Sequence, residues 1–562
     1  MLRAAYLLLI VVCILPIVPG AIGVVLSSLG YLPPIGLTTV SFDGFAAVFS
    51  WSAVWKSISL TLSSTILSSV ISCFLAFSII QGAWHSKFWR IIEKSLAPLL
   101  AMPHVAFAIG FAFLFSPTGL FSRLFDTLFE LDSISFLVKD SFGIGLSLAL
   151  ALKEVPFLLL MSIPILKQLK IDQLAKVTTS LGYAPAQFWW KCIFPQWLVK
   201  IRFPLIAIIA YSASVVDLSL ILGPTNPPTF AVLVWQWFSE PDLSLFPRAG
   251  AGAVILFCLC CLLIALLRFI EWFVIQHKRE WQYSGRSGKM LSGKNSFSLL
   301  LLINILIVPI TLLWSFAGRW RFPDIVPSQF TTRFWTTEWA SIWPTISDSF
   351  LLAFVSATLA LFFALIAQEY QKKHHVHIPK LLIAIPILVP QLSLLFGIQV
   401  ATLYVDSNNY LLWVIWSHIF FAFPYVFLAL DGPWQSYDDG YSKTALSLGK
   451  SPFYVWLKIK ATILFPAIMF AWATGASVSL AQYLPTLMLG AGRISTITTE
   501  AVALSSGFDR RVTSIYALWQ ALLPLLFFSI AFLLSRVQNL SFSNHNRKPI
   551  TSGSYSKKPR HL

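Results

Sequence analysis

Charge is what this sequence has least of. Asp, Glu, Lys and Arg make up 11% of its 562 residues, less than half of the roughly 25% found in soluble domains. A soluble chain of this length would divide into several domains, each needing a charged surface that these residues cannot cover. Acidic residues are the scarcer sign, 23 against 40 Lys and Arg, for a net charge of +17. Cysteine is sparse as well. Of Cys13, Cys73, Cys192, Cys258, Cys260 and Cys261, five lie in apolar runs and none has the spacing of a zinc site, so they read as small apolar residues. No Ser/His/Asp set and no pair of carboxylates stands at a workable catalytic spacing. Neither an enzyme nor a cofactor is expected.

What is present is apolar sequence in long pieces. The chain is 57% hydrophobic with a mean hydropathy of +0.76. Its apolar runs reach about 20 residues, enough to cross a hydrocarbon core of about 30 Å as a helix. A β-barrel would alternate apolar and polar residues and needs no such runs, so that class is excluded. The reading is an all-α polytopic membrane protein. Spans are expected near residues 4–26, 57–80, 96–116, 142–165, 203–223 and 249–275, then near 298–317, 347–368, 381–404, 411–430, 463–490 and 514–535, about twelve in all. The first run resembles a signal peptide but is too long for one, and is taken as an uncleaved span.

The positive charge sorts to one side. With the N-terminus inside, the cytoplasmic gaps, linker and tail hold 29 of the 40 Lys and Arg, the opposite loops hold 10, and Lys153 lies within a span. Thirteen of the 23 acidic residues fall outside. That asymmetry follows the positive-inside rule, placing both termini in the cytoplasm and making membrane lipid, not nucleic acid, the partner of the positive charge.

Two cytoplasmic loops carry the same polar element. The stretch from Ile171 to Pro204 contains Leu181-Gly182-Tyr183-Ala184-Pro185, and a second copy far downstream contains Leu448-Gly449-Lys450-Ser451-Pro452. Leu222-Gly223 and Leu489-Gly490 follow their loop glycines at equal distances, and Pro103-His104 through Gly110 pairs with Pro390-Gln391 through Gly397. Six spans per half with both loops inside imply a parallel repeat about an axis along the membrane normal. The expected organisation is a first repeat over 1–276, a basic linker over 277–297, a second repeat over 298–540 and a basic tail over 541–562. A glycine between two short helices lets the chain fold back sharply. Phe188, Trp189, Trp190 and Trp197 in one loop, and Phe453, Tyr454 and Trp456 in the other, are apolar anchors for a partner or for the membrane interface.

These residues resemble the loop signature EAA-x3-G-x9-I-x-LP of permease subunits of binding-protein-dependent ABC importers. Two copies in one chain are similar to the fused permeases of the ferric-iron and thiamine type, over essentially the whole sequence. The resemblance implies a type I importer permease of the bacterial inner membrane, without ATPase activity of its own. It also implies two copies of an ABC ATPase bound at the loops and an extracytoplasmic substrate-binding protein. Carried onto this chain, the coupling residues are Lys176, Leu181, Gly182, Pro185 and Pro195 in the first copy, and Lys443, Leu448, Gly449, Pro452 and Ile459 in the second. Both copies depart from the signature, having Lys176-Val177-Thr178 and Lys443-Thr444-Ala445 where the EAA stands. Charge complementarity with the ATPase is therefore altered.

Asp217 falls within an apolar run, where an acid faces a cavity or a helix partner; its repeat position is Leu484, with Gln482 nearby, so Asp217 and Gln482 are candidate pathway residues, the alternative for Asp217 being a hydrogen-bond partner in helix packing. Lys153 and Glu154 are neighbours that point apart on a helix and pair with other spans. Gly288 to Asn295 falls one residue short of a phosphate-binding loop, and without a preceding strand it reads as basic linker. His374-His375-Val376-His377 has no acidic or cysteine ligand beside it and reads as a solvated loop. The rival reading, a self-sufficient 6+6 secondary transporter driven by an ion gradient, requires coupling acids within the spans, where only Asp217, Glu154 and Lys153 qualify.

Overall fold

The computed structural model describes residues 2–546 except 85, 130–136, 278, 284–288, 376–377, 406–408 and 508. The middle of the linker, Val376-His377 and the tail from 547 onward lie outside the described residues. Among the described residues ten helices are long and apolar enough to cross a membrane, or up to twelve if each of two bent helix pairs is one span. The only sheet among the described residues is a two-stranded hairpin, Ala317–Arg319 with Gln329–Phe330. The fold is all-α and polytopic.

The first six spans are Leu2–Ser28, Val54–Ala83, His104–Leu128, Ile144–Gln168, the pair Pro185–Lys200 and Arg202–Ser214 bent by 63°, and Leu243–His277. The second six are Gly293–Phe316, Arg333–His374, the pair Lys380–Leu388 and Gln391–Thr402 bent by 96°, Tyr410–Gln435, Pro452–Ala481 and Arg510–Gln538. We number them span 1 to span 12. Proline sets several of the breaks, since it cannot donate a backbone hydrogen bond and disfavours helix in the residue before it. Pro103 ends the helix Trp89–Ala101 that leads into span 3, and Pro390 makes the bend of span 9.

The duplication persists in the coordinates. The short helices Asp217–Leu222 and Phe230–Phe238 recur as Leu484–Leu489 and Ile497–Ser505, with the same lengths and the same separation along the chain as Gly182 and Gly449. The sequence runs near 203–223 and 463–490 are therefore not single spans. The fifth ends at Ser214 and the eleventh at Ala481, and each chain then re-enters as a short helix just before its Leu-Gly turn.

The two halves exchange their first spans. Span 1 packs against span 9 and span 6, and span 7 packs against span 3 and span 12, the reciprocal arrangement. At the first crossing the backbones meet directly: a Cβ on Gly23 would stand 2.4 Å from the Gly397 carbonyl oxygen, and one on Gly397 would stand 1.6 Å from that of Gly20. Small residues at a helix crossing permit this approach where lipid supplies no hydrophobic drive. Gly293 has a similar role, its Cα facing the Ser78 carbonyl so closely that a Cβ would lie 2.0 Å from that oxygen. The glycine that made the linker look like a phosphate loop is thus a packing residue at the start of span 7.

Candidate functional site

Two places on this frame gather functional side chains. The first is the pair of Leu-Gly loops. The helix Ile171–Ser180 ends at Leu181, and Gly182 has φ +79°; Gly182 N donates to Thr179 O at 3.0 Å and Tyr183 N to Thr178 O at 3.0 Å. The helix Asp439–Ser447 ends at Leu448, and Gly449 has φ +76°, with Gly449 N donating to Leu446 O at 3.0 Å and Lys450 N to Ala445 O at 3.2 Å. Both are left-handed glycine caps closing the last turn of a helix. Pro185 and Pro452 then open the next helix at its first turn, where the missing N–H costs nothing.

The tips carry apolar side chains into the open. Leu181 is 67% exposed and Leu448 74%, with Val177, Tyr183, Phe453 and Tyr454 also exposed. Lys176 and Lys443 are exposed on the same helices, as are Gly182, Pro185, Gly449 and Pro452. Pro195 is buried and Ile459 half-buried, so these two hold the loop in place and do not belong to its tip. The first loop's aromatic anchors face inward: Phe188, Trp189 and Trp197 are buried, and Trp197 Nε1 donates to Ser162 Oγ at 2.8 Å. In the second loop Phe453 and Tyr454 remain outside, as expected of anchors.

The two loops are tied down differently. In the second, Trp456 Nε1 donates to Glu369 Oε1 at 2.9 Å, Lys460 forms an ion pair with the same carboxylate, and Lys372 bonds Asp439 at 2.7 Å. The last turns of span 8 thus grip the loop from both ends. In the first, Trp190 Nε1 donates to the Lys289 carbonyl at 3.0 Å, and Gln81 of span 2 donates to the same oxygen at 3.3 Å. The linker between the halves therefore clamps the first loop.

The second place is the contact between the halves, at the broken ends of spans 5 and 11. Asp217 begins its short helix and is half-buried between buried Val216 and Leu218. His104 Nε2 lies 3.6 Å from Glu154 Oε1, and the His104 ring centroid is 4.9 Å from that of Tyr211. Gln391 Nε2 donates to Gln482 Oε1 at 2.7 Å. His104, Glu154 and Tyr211 form one group in the first half, and Gln391 and Gln482 one in the second. His104 and Gln391 stand at matched positions behind the repeated prolines Pro103 and Pro390, and that pairing was the available signal. Lys153 pairs with no acid, donating to the carbonyls of Leu99 and Met102 at the break before span 3. Among the described residues no three His, Cys, Asp or Glu side chains converge as metal ligands.

No protein-family model matches the chain. Among curated proteins, it is 31% identical over 523 residues to the "Inner membrane ABC transporter permease protein YnjC" of Escherichia coli, an alignment covering 90% of this chain and 94% of that one. It is 24% identical over 409 residues, 69% of this chain and 75% of the other, to the "Fe(3+)-transport system permease protein FbpB 2" of Haemophilus influenzae.

Proposed function

Since the chain belongs to the family of inner-membrane ABC transporter permeases, we propose how its parts divide the work of an importer. The protein is a multi-pass membrane permease subunit of an ABC importer. Its two halves form the translocation pathway between them, and ATP is hydrolysed on separate subunits. One ATPase subunit docks at Leu166–Arg202 and a second at 432–460, with both loops and both termini in the cytoplasm. An extracytoplasmic binding protein delivers the substrate at the opposite face.

The observation that carries this reading is the matched pair of coupling tips. Each ends a short helix on a left-handed glycine and presents an exposed leucine, Leu181 or Leu448. Two exposed leucines on one side of a membrane protein, tied rigidly to spans, suit a partner with two equivalent grooves. Closure of the ATPases would press on both helices. The second loop would transmit that push to span 8 through Glu369 and Lys372, and the first to spans 2 and 7 through the linker. Rocking of one half against the other would then switch access at Asp217 and Gln482. Where the family signature has an acid, Lys176 and Lys443 place positive charge, so the facing groove would be acidic.

Co-purification tests the docking. Leu181→Asp and Leu448→Asp each put a charge at an exposed tip with no change to the core. The two together are expected to abolish recovery of the cognate ATPase with the permease, while the chain's own yield and elution stay unchanged. Full recovery with the double variant would refute docking at these loops.

A further inference from the structure

We infer that the cavity where span 3, span 7 and span 12 meet is a binding site for an anionic phosphate group, with Arg123 and Arg510 as its cationic donors. The cavity holds about 430 Å³, within the range of small-molecule sites. It lies at the ends of these spans away from the Leu-Gly loops, and none of its lining belongs to those loops or to the re-entrant helices. Arg123 is 2% exposed, and a buried charge is costly unless it is paired. Its Nε donates to Thr118 O at 3.0 Å, and its Nη1 to Arg321 O and Asp324 O, both at 2.6 Å. All three acceptors are neutral carbonyls, and Nη2 has no acceptor among the described residues.

Arg510 brings a second guanidinium to the same carbonyl. Its Nη1 donates to Thr118 O and its Nη2 to Ser116 Oγ, each at 3.3 Å, so both arginines converge on Thr118. Both also lie over the Trp314 ring, at 5.9 Å and 5.1 Å from its centroid, and Arg123 is 4.8 Å from that of Trp320. Ring faces attract each cation but do not remove the repulsion between the two. The one acid in the lining, Asp509, is taken by Arg511, Nε to Oδ1 at 2.8 Å and Nη2 to Oδ2 at 3.0 Å. Asp324 offers Arg123 its main-chain oxygen, and its side chain makes no ion pair among the described residues. Three guanidiniums against one carboxylate leave two positive charges on the lining. Planar guanidinium forks match phosphate oxygens, and Arg123 Nη2 and Arg510 Nε are the donors left open for them. Trp314, in the last turn of span 7, and Trp320 just beyond it stand where aromatic residues mark the membrane–water interface, the level of lipid phosphates.

The corresponding corner of the first half has a counterion of its own. At the start of span 6, the counterpart of span 12, Arg248 lies over Trp51 and Trp237 at 4.9 Å and 5.1 Å and is paired with Glu240 at 2.7 Å. The aromatic setting is the same, with one guanidinium and one carboxylate. With Pro103 set on Pro390, the position of Arg123 falls on Tyr410; with Gly182 set on Gly449, that of Arg510 falls on Leu243. The excess charge is therefore not required to build the repeated fold. A phosphate held by Arg123 of span 3 and Arg510 of span 12 would join the two halves at this corner.

The test uses the full-length chain in dodecyl maltoside, washed free of lipid, with thermal unfolding followed by tryptophan fluorescence. The probes are dihexanoyl phosphatidylglycerol for a lipid headgroup and glycerol 1-phosphate for a soluble phosphate ester. Dihexanoyl phosphatidylcholine, with the same tails and no net charge, and sodium chloride at matched ionic strength are the controls. At least one probe is expected to raise the unfolding midpoint saturably above both controls. A response to phosphatidylglycerol alone assigns the site to a lipid headgroup, and a response to glycerol 1-phosphate assigns it to a soluble ester. Arg510→Gln is expected to weaken the response at least tenfold, as the loss of about 1.4 kcal/mol of binding would. Arg510→Lys keeps the charge without the fork and is expected to weaken it severalfold; it carries the comparison if Arg510→Gln does not fold. Arg319→Gln removes an exposed charge outside the lining and is expected to keep the whole response. No saturable response to either probe beyond the controls, an undiminished response in the Arg510 variants, or an equal loss in Arg319→Gln would overturn the inference.

Discussion

Gly397→Ala examines the exchange of first spans between the halves. The added Cβ would lie 1.6 Å from the Gly20 carbonyl oxygen and 2.9 Å from the Val24 nitrogen, where contacts under 3.0 Å are essentially never seen. Span 1 and span 9 would have to move apart, because the obstruction is backbone that cannot rotate away. Overpacking in a close-packed core costs about 1–3 kcal/mol when side chains can adjust, so this change is expected to cost about 3 kcal/mol. Its repeat counterpart is the control. A Cβ on Gly110 would meet Ile307 Cγ2 of span 7 at 2.3 Å, a side chain that can shift, and Gly110→Ala is expected to cost about 1–2 kcal/mol. Thermal unfolding of both variants in detergent, read by tryptophan fluorescence, gives the comparison. A midpoint for Gly397→Ala at or above that of Gly110→Ala would refute the direct backbone crossing.

Three further outcomes are open to measurement. Ser162→Ala leaves Trp197 Nε1 without its acceptor in a fully buried position and is expected to lower stability by about 1–3 kcal/mol, readable in the same unfolding assay. His418→Phe removes the ring bonded on one side to Ser479 Oγ at 2.8 Å and on the other to Thr486 Oγ1 at 2.9 Å; two buried hydroxyls lose a partner, and a loss of about 2–4 kcal/mol is expected. Glu369→Ala strips buried Lys460 and Trp456 of their shared acceptor, and is expected to reduce permease-dependent ATP hydrolysis while ATPase recovery is retained.

The sequence reading located the spans and the loops because hydrophobic length and glycine spacing are local signals. Leu181-Gly182 and Leu448-Gly449 stand where the motif put them, with the positive φ that only glycine adopts freely. The separation of those two glycines proved a structural constant, since it also aligns the short re-entrant helices. The first of those helices was illegible, since Val215-Val216 carries no proline or glycine to mark a break, while in the second half Pro485 stands in the first turn of Leu484–Leu489. The inward turn of Trp189 and Trp197 was hidden for a related reason. An aromatic in a basic loop reads as an anchor until the neighbouring helices, here span 4 with Ser162 and span 2 with Phe77, are known to receive it. His104, Glu154 and Tyr211 come from three separate spans, and no spacing along the chain connects them.

The most direct measurement of the coupling reading is ATP hydrolysis by the cognate ATPase assembled with this permease in proteoliposomes. At Gly182 and Gly449 an alanine Cβ would meet nothing within 4 Å, so Gly→Ala there strains only the left-handed turn, by about 1–2 kcal/mol or a factor of about 5–30 at each site. Gly492, with φ +71° and equally open surroundings beyond the opposite end of span 11, carries the same strain away from the two loops. The doubly substituted Gly182→Ala, Gly449→Ala permease is expected to lose most of its stimulation of hydrolysis, and Gly492→Ala to keep it. Equal stimulation by the double variant and the wild type would contradict coupling through these loops.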